Sequence, residues 1–245
     1  METEIEWTEE KSRRLWDYYA RTLRAEEYFS RHSGGYILRA LRHWVDLRLG
    51  NVLDFGCGPG YMLDHLVRHS SGKVFGLDFS EGSIAKTDGR LKGDPHYGGA
   101  WFTRELPAPV GSSSMDAVIS VEVIEHLTDD MLRGMLHEVR RVLKDDGRLI
   151  ITTPNEEDLE ASKMFCPNCA CTYHRWQHIR SWSADSLEQL LADNGFTPVV
   201  IRATFFRSGM AQWMSALKHL VKRILRRPVA VQRPHLFAVA KKNPD

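Results

Sequence analysis

The stretch Asn51-Val52-Leu53-Asp54-Phe55-Gly56-Cys57-Gly58-Pro59-Gly60 decides how this chain folds. Residues 52–55 predict a short buried strand, three glycines follow at alternate positions, and a helical pattern begins at Tyr61. Glycine leaves backbone N–H groups bare, so a ligand can approach the main chain closely. The stretch therefore predicts a strand–loop–helix unit with a ligand pocket beside the loop.

A second predicted strand, Val74–Asp78, ends in a carboxylate that can accept hydrogen bonds from both hydroxyls of a ribose. The glycine spacing is not G-x-G-x-x-G, which argues against a dinucleotide site. Instead, D-x-G-x-G-x-G followed by G-L-D-x-S resembles the class I S-adenosylmethionine (SAM) dependent methyltransferases over roughly residues 35–242. The alternative is a glycine turn in another α/β protein.

The resemblance implies an α/β fold with a seven-stranded, mostly parallel Rossmann-like sheet, helices on both faces and an N-terminal helical cap. We expect the cap over 1–48, as two helices with a break at Ser33-Gly34-Gly35, and the methyltransferase domain over 49–245. Alternating strand and helix patterns independently argue for a parallel sheet. The strands are predicted at 52–55, 74–78, 100–103, 115–121, 148–153, 197–205 and 235–240, and the resemblance implies that the last is antiparallel. Ser80, Thr128 and Ser183 are predicted to cap helices, and Asp145-Asp146-Gly147 predicts a turn.

The resemblance also implies the cofactor site. Its residues would be Asp54, Gly56, Gly58, Gly60, Asp78, Phe79 and Glu122. In the family, Asp54 orients the methionine amino group through the loop, and Asp78 holds the ribose. Phe79 would lie against the adenine or in the core. The adenine contact that usually follows strand three has no Asp or Asn within Phe102–Pro107, so it stays unassigned.

The sequence Glu122-Val-Ile-Glu125-His126 places two carboxylates and an imidazole after a predicted strand. Such donors suit Mg²⁺, Mn²⁺ or a similar divalent ion. With a later His178, the pattern resembles quinone-biosynthesis O-methyltransferases and small-RNA 3′-terminal 2′-O-methyltransferases. The second group implies metal ligands at Glu122, Glu125, His126 and His178. Alternatively, no metal binds, Glu122 touches the cofactor, and His126 and His178 are catalytic groups on the substrate side.

A cluster of thiols comes before His178. Cys166, Cys169, Cys171 and His174 form a Cys₃His set whose C-P-x-C start is typical of a zinc knuckle. The set predicts a structural zinc ion, and the alternative is a loop without metal. Clustered cysteines do not indicate a disulfide framework, so we expect a reduced, cytoplasmic protein.

Charge is nearly balanced overall, at +1, but residues 194–244 carry ten Lys and Arg and no Asp or Glu. A basic amphipathic helix predicted over 209–227 favours peripheral contact with the inner face of a membrane, or a helix that caps the active site. The near-neutral net charge argues against a nucleic-acid partner. No signal peptide or transmembrane segment is expected.

Together these patterns predict a SAM-dependent methyltransferase that methylates a hydroxyl oxygen on a small or lipid-linked, quinone-like acceptor. Two alternatives stay open. One is 2′-O-methylation of an RNA 3′ end with a divalent ion, and the other is a non-catalytic SAM-binding subunit.

Overall fold

The computed structural model describes residues 3–22, 27–46, 50–206 and 234–244. Its strands are β1 Thr3–Glu4, β2 Val52–Phe55, β3 Val74–Asp78, β4 Tyr97–Phe102, β5 Met115–Val121, β6 Leu143–Pro154, β7 Lys163–Phe165, β8 Cys171–His174, β9 Phe196–Thr204 and β10 His235–Lys242. Seven of them form a sheet in the order β4-β3-β2-β5-β6-β10-β9, and only β10 runs antiparallel to its neighbours there. The predicted fold class is confirmed.

The helices of the described ranges are α1 Glu9–Arg21, α2 Phe29–Leu41, α3 Tyr61–Val67, α4 Glu81–Leu91, α5 Asp129–Val142 and α6 Ala184–Asp193. The predicted caps Ser80, Thr128 and Ser183 each accept a backbone N–H from three residues further on, which satisfies one free donor of the first helical turn. These caps confirm where α4, α5 and α6 begin.

Alternate residues along the central strands enter two different hydrophobic clusters. Leu53 and Val118 pack with α5 and α6, whereas their neighbours Val52 and Ile119 pack with α2 and α3. Because side chains of a strand point to opposite faces in turn, each cluster covers one face of the sheet. Both faces therefore carry helices, as predicted.

The break predicted at 33–35 is wrong, because Ser33-Gly34-Gly35 lies inside α2. A Cβ on Gly34 would lie 2.3 Å from Cδ2 of His65 on α3. The glycine thus allows close packing of α2 on α3, and this contact outweighs the modest cost of glycine in a helix. α2 shares a hydrophobic cluster with the sheet.

Residues 155–182 contain the β7–β8 hairpin. β8 also pairs with β1, so a small three-stranded sheet forms in the order β1-β8-β7. The predicted turn at 145–147 lies within β6, where the pairing with β5 shifts register between Met115 and Ala117. The extra residues of β6 are accommodated by this irregularity.

Two predictions fall outside the described residues. The basic helix expected over 209–227 lies wholly within the undescribed 207–233, and the domain boundary expected after residue 48 lies within the undescribed 47–49. Both stay predictions. Within the described ranges, every helix is too short or too polar to cross a lipid bilayer.

Candidate active site

A cavity of about 890 Å³ opens at the carboxyl ends of the parallel strands. The segments that follow β2, β3, β5 and β6 form its floor, and residues from α1 and the start of α2 lie over it. β2 sits between β3 and β5, so the crossovers diverge on either side of it. Ligands of open α/β sheets bind at such a switch point.

The glycine loop after β2 is held in a left-handed conformation at φ 77° for Gly56, 51° for Gly58 and 79° for Gly60. A Cβ on Gly56 would lie 2.5 Å from Val123, and one on Gly58 would lie 2.8 Å from the Tyr28 ring. Glycine is therefore required by both backbone angle and space. Gly56 and Gly58 line the cavity, whereas Gly60 lies at the start of α3.

Asp78, at the end of β3, ties the loop to the strand. Its Oδ2 accepts the N–H of Gly58 at 2.8 Å, and its Oδ1 accepts that of Ser80 at 2.8 Å. Burial raises the pKa of Asp78 to about 6 even though these bonds favour the charged form. Asp78 and the adjacent Phe79 both line the cavity.

Asp54, within β2, also lines the cavity. Its side chain is buried, and its Oδ2 has no hydrogen-bond partner among the described residues. Burial, followed by the charge of Asp78, raises the pKa of Asp54 to about 8. A buried carboxyl of this kind is stabilised by a bound cation or donor.

Glu122 follows β5 with φ 54°, a left-handed angle unusual for this residue type. Its Oε2 lies 3.1 Å from Nδ1 of His235, and within the described part of the chain its buried Oε1 has no hydrogen-bond partner. His235 begins β10 and lines the same cavity. Glu122 therefore lines the cavity with a strained backbone, which agrees with its prediction as a cofactor contact.

Two imidazoles stand at the end of the cavity next to Trp16 of α1. The rings of His126 and His178 are 4.8 Å apart, and Trp16 of α1 lies 4.8 Å from His126. Burial, and then the charge of His178, lowers the pKa of His126 to about 3, so His126 is neutral near neutral pH. Both predicted catalytic histidines thus line one cavity.

Glu157 holds His178. Its Oε2 makes a short hydrogen bond with Nδ1 of His178, and its Oε1 lies 3.5 Å from Nε2 of His174. Nδ1 of His174 faces the N–H groups of Trp176 and His178, at 3.4 and 3.1 Å. Burial favours the neutral form of Glu157, but the two histidines outweigh it and lower its pKa to about 2.

Gln177 joins the cap to this end of the cavity. Its Nε2 donates to Oγ of Ser12 and to the carbonyl of His126, both at 2.9 Å, and its Oε1 accepts the indole N–H of Trp16 at 2.6 Å. The residue is buried and left-handed, at φ 62°. Every polar atom of its amide group is therefore engaged in fixing α1 over the cavity.

Of the four predicted divalent-ion ligands, three gather. Glu125, His126 and His178 each offer one donor atom, and these atoms lie within 4.8 Å of one another. Glu125 is buried, and its Oε1 lies 3.9 Å from Nε2 of His126 with no hydrogen-bond partner among the described residues. Burial, followed by the charge of Glu122, raises the pKa of Glu125 well above the usual range. Glu122 lies outside this group and pairs with His235.

The predicted Cys₃His set does not come together within the described residues. His174 is buried against Glu157, whereas the three thiols lie at the tip of the β7–β8 hairpin. The reason is strand alternation, because His174 and Cys171 are three positions apart on β8 and point to opposite faces. His174 is thus not positioned as a ligand of the thiol group.

Comparisons with known proteins agree with this geometry. A family model described as a methyltransferase domain matches residues 17–201. A probable S-adenosylmethionine-dependent methyltransferase of Mycolicibacterium smegmatis is 32% identical over 191 residues, which span 77% of this chain and 67% of the relative. This chain belongs to the SAM-dependent methyltransferase family.

Two further proteins show how far the likeness extends. The mitochondrial ubiquinone biosynthesis O-methyltransferase of Bos taurus is 28% identical over 66% of this chain, which corresponds to 45% of that protein. A crystal structure of a SAM-dependent methyltransferase from Aquifex aeolicus matches 96% of this chain and 98% of its own, with a TM-score of 0.58 at 16% identity. The latter likeness concerns the fold alone.

The residues of this methyltransferase fit SAM. SAM carries a positively charged sulfonium and a methionine ammonium, and the unpartnered oxygens of Asp54 and Glu122 supply negative partners in the cavity wall. The left-handed loop at Gly56 and Gly58 leaves main chain bare beside them. The particular role of each residue stays a prediction.

Several functional residues were missed by sequence reasoning. Glu157, Gln177, Trp16, Tyr28 and His235 all contribute to the cavity or its support. The acidic run Glu156-Glu157-Asp158 directly after a predicted strand was a usable signal, because strand ends meet at the ligand edge of the sheet. The others come from segments that carry no motif.

Proposed function

We propose that this methyltransferase transfers the methyl group of SAM to a hydroxyl oxygen of a small or lipid-linked, quinone-like phenol. The observation that carries the proposal is the Glu157–His178 pair at the edge of the cavity. An imidazole oriented by a carboxylate is an arrangement suited to accept a hydroxyl proton.

The hydrogen bond to Glu157 decides which nitrogen of His178 can act as a base. Nδ1 carries the proton that is donated to the carboxylate, so the lone pair is on Nε2. Bound SAM supplies a methyl group made electrophilic by the sulfonium. Nε2 would take the acceptor proton as the oxygen attacks, and Glu157 would stabilise the imidazolium that results.

The walls near His178 favour an aromatic acceptor. Trp16, Tyr28, Phe29 and Trp176 all line the cavity. Flat, apolar side chains around a few polar groups suit a phenolic ring with its hydroxyl directed at the histidines. The distant likeness to a ubiquinone biosynthesis O-methyltransferase points to the same acceptor class.

The alternative to a histidine base in this proposal is a divalent ion, because Nε2 of His178 can bind an ion or accept a proton but not both. Glu125, His126 and His178 would hold it, because their donor chemistry suits Mg²⁺ or Mn²⁺ and Glu125 keeps an unpartnered buried oxygen. The ion would lower the pKa of a coordinated hydroxyl. Removal of metal by EDTA followed by re-addition of Mg²⁺ tests this part, and activity that ignores both steps contradicts it.

Peripheral membrane contact through 209–227 would bring a lipid-linked acceptor to the cavity of a cytoplasmic enzyme. Its support is compositional, since the 194–244 segment carries ten basic and no acidic residues. Co-sedimentation of the full chain with phosphatidylglycerol vesicles, compared with phosphatidylcholine vesicles, tests it. Equal recovery with both would contradict the proposal.

The central test measures transfer of labelled methyl from SAM to dihydroxybenzoates and to short-chain prenylated catechols, with primary amines and short RNA as competing acceptor classes. We expect methyl ethers from the phenols. His178→Gln should lower kcat by roughly 100-fold or more, the range of a general base, while SAM still binds by calorimetry. Methylation of amines or RNA instead of phenols would overturn the acceptor class.

A further inference from the structure

His174 is a buried imidazole to which the proposed function gives no role. It ends β8, and its side chain is only 2% exposed. Its ring lies nearly parallel to that of His178, with 4.4 Å between the ring centroids and 24° between the planes. Because a buried polar ring needs partners for its nitrogens, the surroundings of each nitrogen indicate what His174 does.

The turn after β8 fixes the tautomer of His174. The carbonyl of His174 accepts the N–H of Gln177 at 2.8 Å, which closes the turn. The N–H groups of Trp176 and His178 then donate to Nδ1 of His174, at 3.4 and 3.1 Å. A ring nitrogen that accepts hydrogen bonds carries a lone pair, so the one proton of the neutral imidazole lies on Nε2.

This proton is next to Glu157. Nε2 of His174 lies 3.5 Å from Oε1 of Glu157, and it has no hydrogen-bond partner among the described residues. The separation is slightly longer than that of a direct hydrogen bond. A buried N–H without a partner is costly, so a small shift that closes this gap is favoured.

The two oxygens of Glu157 are thereby divided between two imidazoles. Oε2 makes the short hydrogen bond with Nδ1 of His178, and Oε1 faces Nε2 of His174. A carboxylate held at one oxygen can rotate about its last side-chain bond, whereas one held at both oxygens cannot. His174 is itself held by backbone N–H groups, so it gives Glu157 a fixed neighbour.

The donor atoms of Glu157, His174 and His178 also lie within 4.8 Å of one another, as those of a metal site would. A metal ion on Nε2 of His174 would replace its proton while Nδ1 still accepts two N–H groups, which would leave an imidazolate. The tautomer of His174 therefore favours a hydrogen bond to Glu157 over metal binding by this group.

We propose that His174 is a positioning residue, which donates its Nε2–H to Oε1 of Glu157 and so keeps Oε2 on Nδ1 of His178 during methyl transfer. This role rests on the proposed function, in which the acceptor oxygen bonds to the methyl carbon and the electron pair of the S–C bond returns to sulfur. The hydroxyl proton passes to Nε2 of His178. The resulting imidazolium needs an ionised carboxylate at Nδ1, and no proton moves to or from His174.

Two substitutions separate the two nitrogens of His174. His174→Asn keeps an oxygen near the position of Nδ1 and removes the donor, whereas His174→Gln places an amide N–H near the position of Nε2. We expect His174→Asn to lower kcat about 10-fold, with the KM for the phenol and the dissociation constant for SAM unchanged. His174→Gln should keep kcat within about threefold of the wild type. His137→Asn, at an exposed position of α5, is the control and should leave kcat unchanged.

A further measurement does not depend on the acceptor. Long-range ¹H–¹⁵N NMR spectra show which ring nitrogen of His178 carries the proton. We expect the Nδ1–H form in the wild type and a mixture of both tautomers in His174→Asn. If this change is seen but no phenol is methylated, the proposed function fails while the control of Glu157 and His178 by His174 is supported.

Several results would overturn the role of His174. One is a wild-type kcat in His174→Asn while His178→Gln has lost activity, and another is a His178 tautomer that stays the same. An equal loss of kcat in His174→Asn and His174→Gln would show that the Nε2 donor is not what matters. If the losses of His174→Asn and Glu157→Gln multiply in the double variant, His174 does not act through Glu157.

Discussion

The two ends of the cavity are built in different ways. At the expected cofactor end, Asp54, the glycine loop and Asp78 come from two adjacent strands and the turns that follow them. At the proposed acceptor end, His126, Glu157, Gln177 and Trp16 come from four separate segments, and the hydrogen bond between Gln177 and Trp16 joins residues far apart in sequence. The first end is therefore built from neighbouring strand ends, whereas the second is assembled by tertiary contacts between distant segments.

The difference shows which part of the cavity is free to change. A strand end fixes its carboxylate through the sheet itself, so a residue such as Asp78 needs only the loop N–H groups to hold it. The acceptor end depends on side chains that hold other side chains, as Glu157 does for His178. We therefore expect cofactor binding to depend on the scaffold and acceptor choice to depend on the added segments.

The largest expected effect is at the glycine loop. Gly58→Val should weaken SAM binding by roughly 100-fold or more, because the new side chain overlaps the Tyr28 ring and φ 51° suits glycine. Calorimetric titration of SAM measures this loss. Gly89→Ala lies on an exposed face of α4, where the new Cβ would meet no other described part of the chain within 4 Å, so this control variant should bind SAM normally.

The next effect is confined to the acceptor end. Glu157→Gln removes the charge that holds His178 and should lower kcat about 10- to 100-fold, since a charge-assisted hydrogen bond contributes about 1.5–3 kcal/mol. The dissociation constant for SAM should stay unchanged. Steady-state kinetics for kcat and calorimetry for SAM affinity, on the same sample, test this prediction. A parallel loss of SAM affinity would mean that the two ends of the cavity are not independent.

A smaller effect is expected on the pH dependence of SAM affinity at the cofactor end. Asp54 and Asp78 have pKa values of about 8 and about 6 in the free protein, both raised first by burial. A cationic ligand favours their ionised forms, so binding releases protons and SAM affinity should rise from pH 6 to pH 8. The slope is at most about tenfold per pH unit for each proton released.

The free energy of unfolding should change with pH in the opposite direction to SAM affinity. Because the folded-state pKa of Asp54 lies above its unfolded value, its stabilising contribution is present at low pH and is lost as pH rises towards 8. Asp54→Asn should flatten the pH dependence of SAM affinity and that of the free energy of unfolding. Calorimetry in buffers of different ionisation enthalpy counts the protons, and proton uptake on binding would contradict this account.

The smallest expected effect is on stability, and it should change neither end of the cavity. Ser183→Ala removes the cap of α6, where Ser183 Oγ accepts the N–H of Ser186 at 3.1 Å. The free energy of unfolding should fall by about 1 kcal/mol in urea denaturation. SAM affinity and kcat should be unchanged, and a change in either would show that α6 takes part in the site.

The sequence predicted most of the fold because its signals are local. Strands β2, β3 and β5 were placed residue by residue, since each is an apolar run that ends in a glycine or acidic turn. Serine and threonine caps placed three helices. The break expected at Gly34 failed because a contact with His65 on another helix, invisible in the local pattern, decides that position.

In the candidate site, too, the residues that belong to local motifs were predicted and their distant partners were not. Asp54, Asp78, His126 and His178 were found from motif spacing, and all four line the cavity. The partners that set their protonation and orientation were not, because a contact such as Glu157 with His178 exists only after the chain has folded. His174 was assigned to the thiols on sequence proximity, which ignores that neighbours on a strand face opposite ways.

Gln177 gives the enzyme a mechanical constraint. One buried amide holds α1 through Ser12 and Trp16 and holds the His126 backbone at the same time. If α1 lifts away from the cavity, these bonds must break together, and an amide left unpaired in the interior is costly. Opening for acceptor exchange and loss of the catalytic arrangement are then a single event. The enzyme would pass between a closed, competent state and an open, idle one, with little in between.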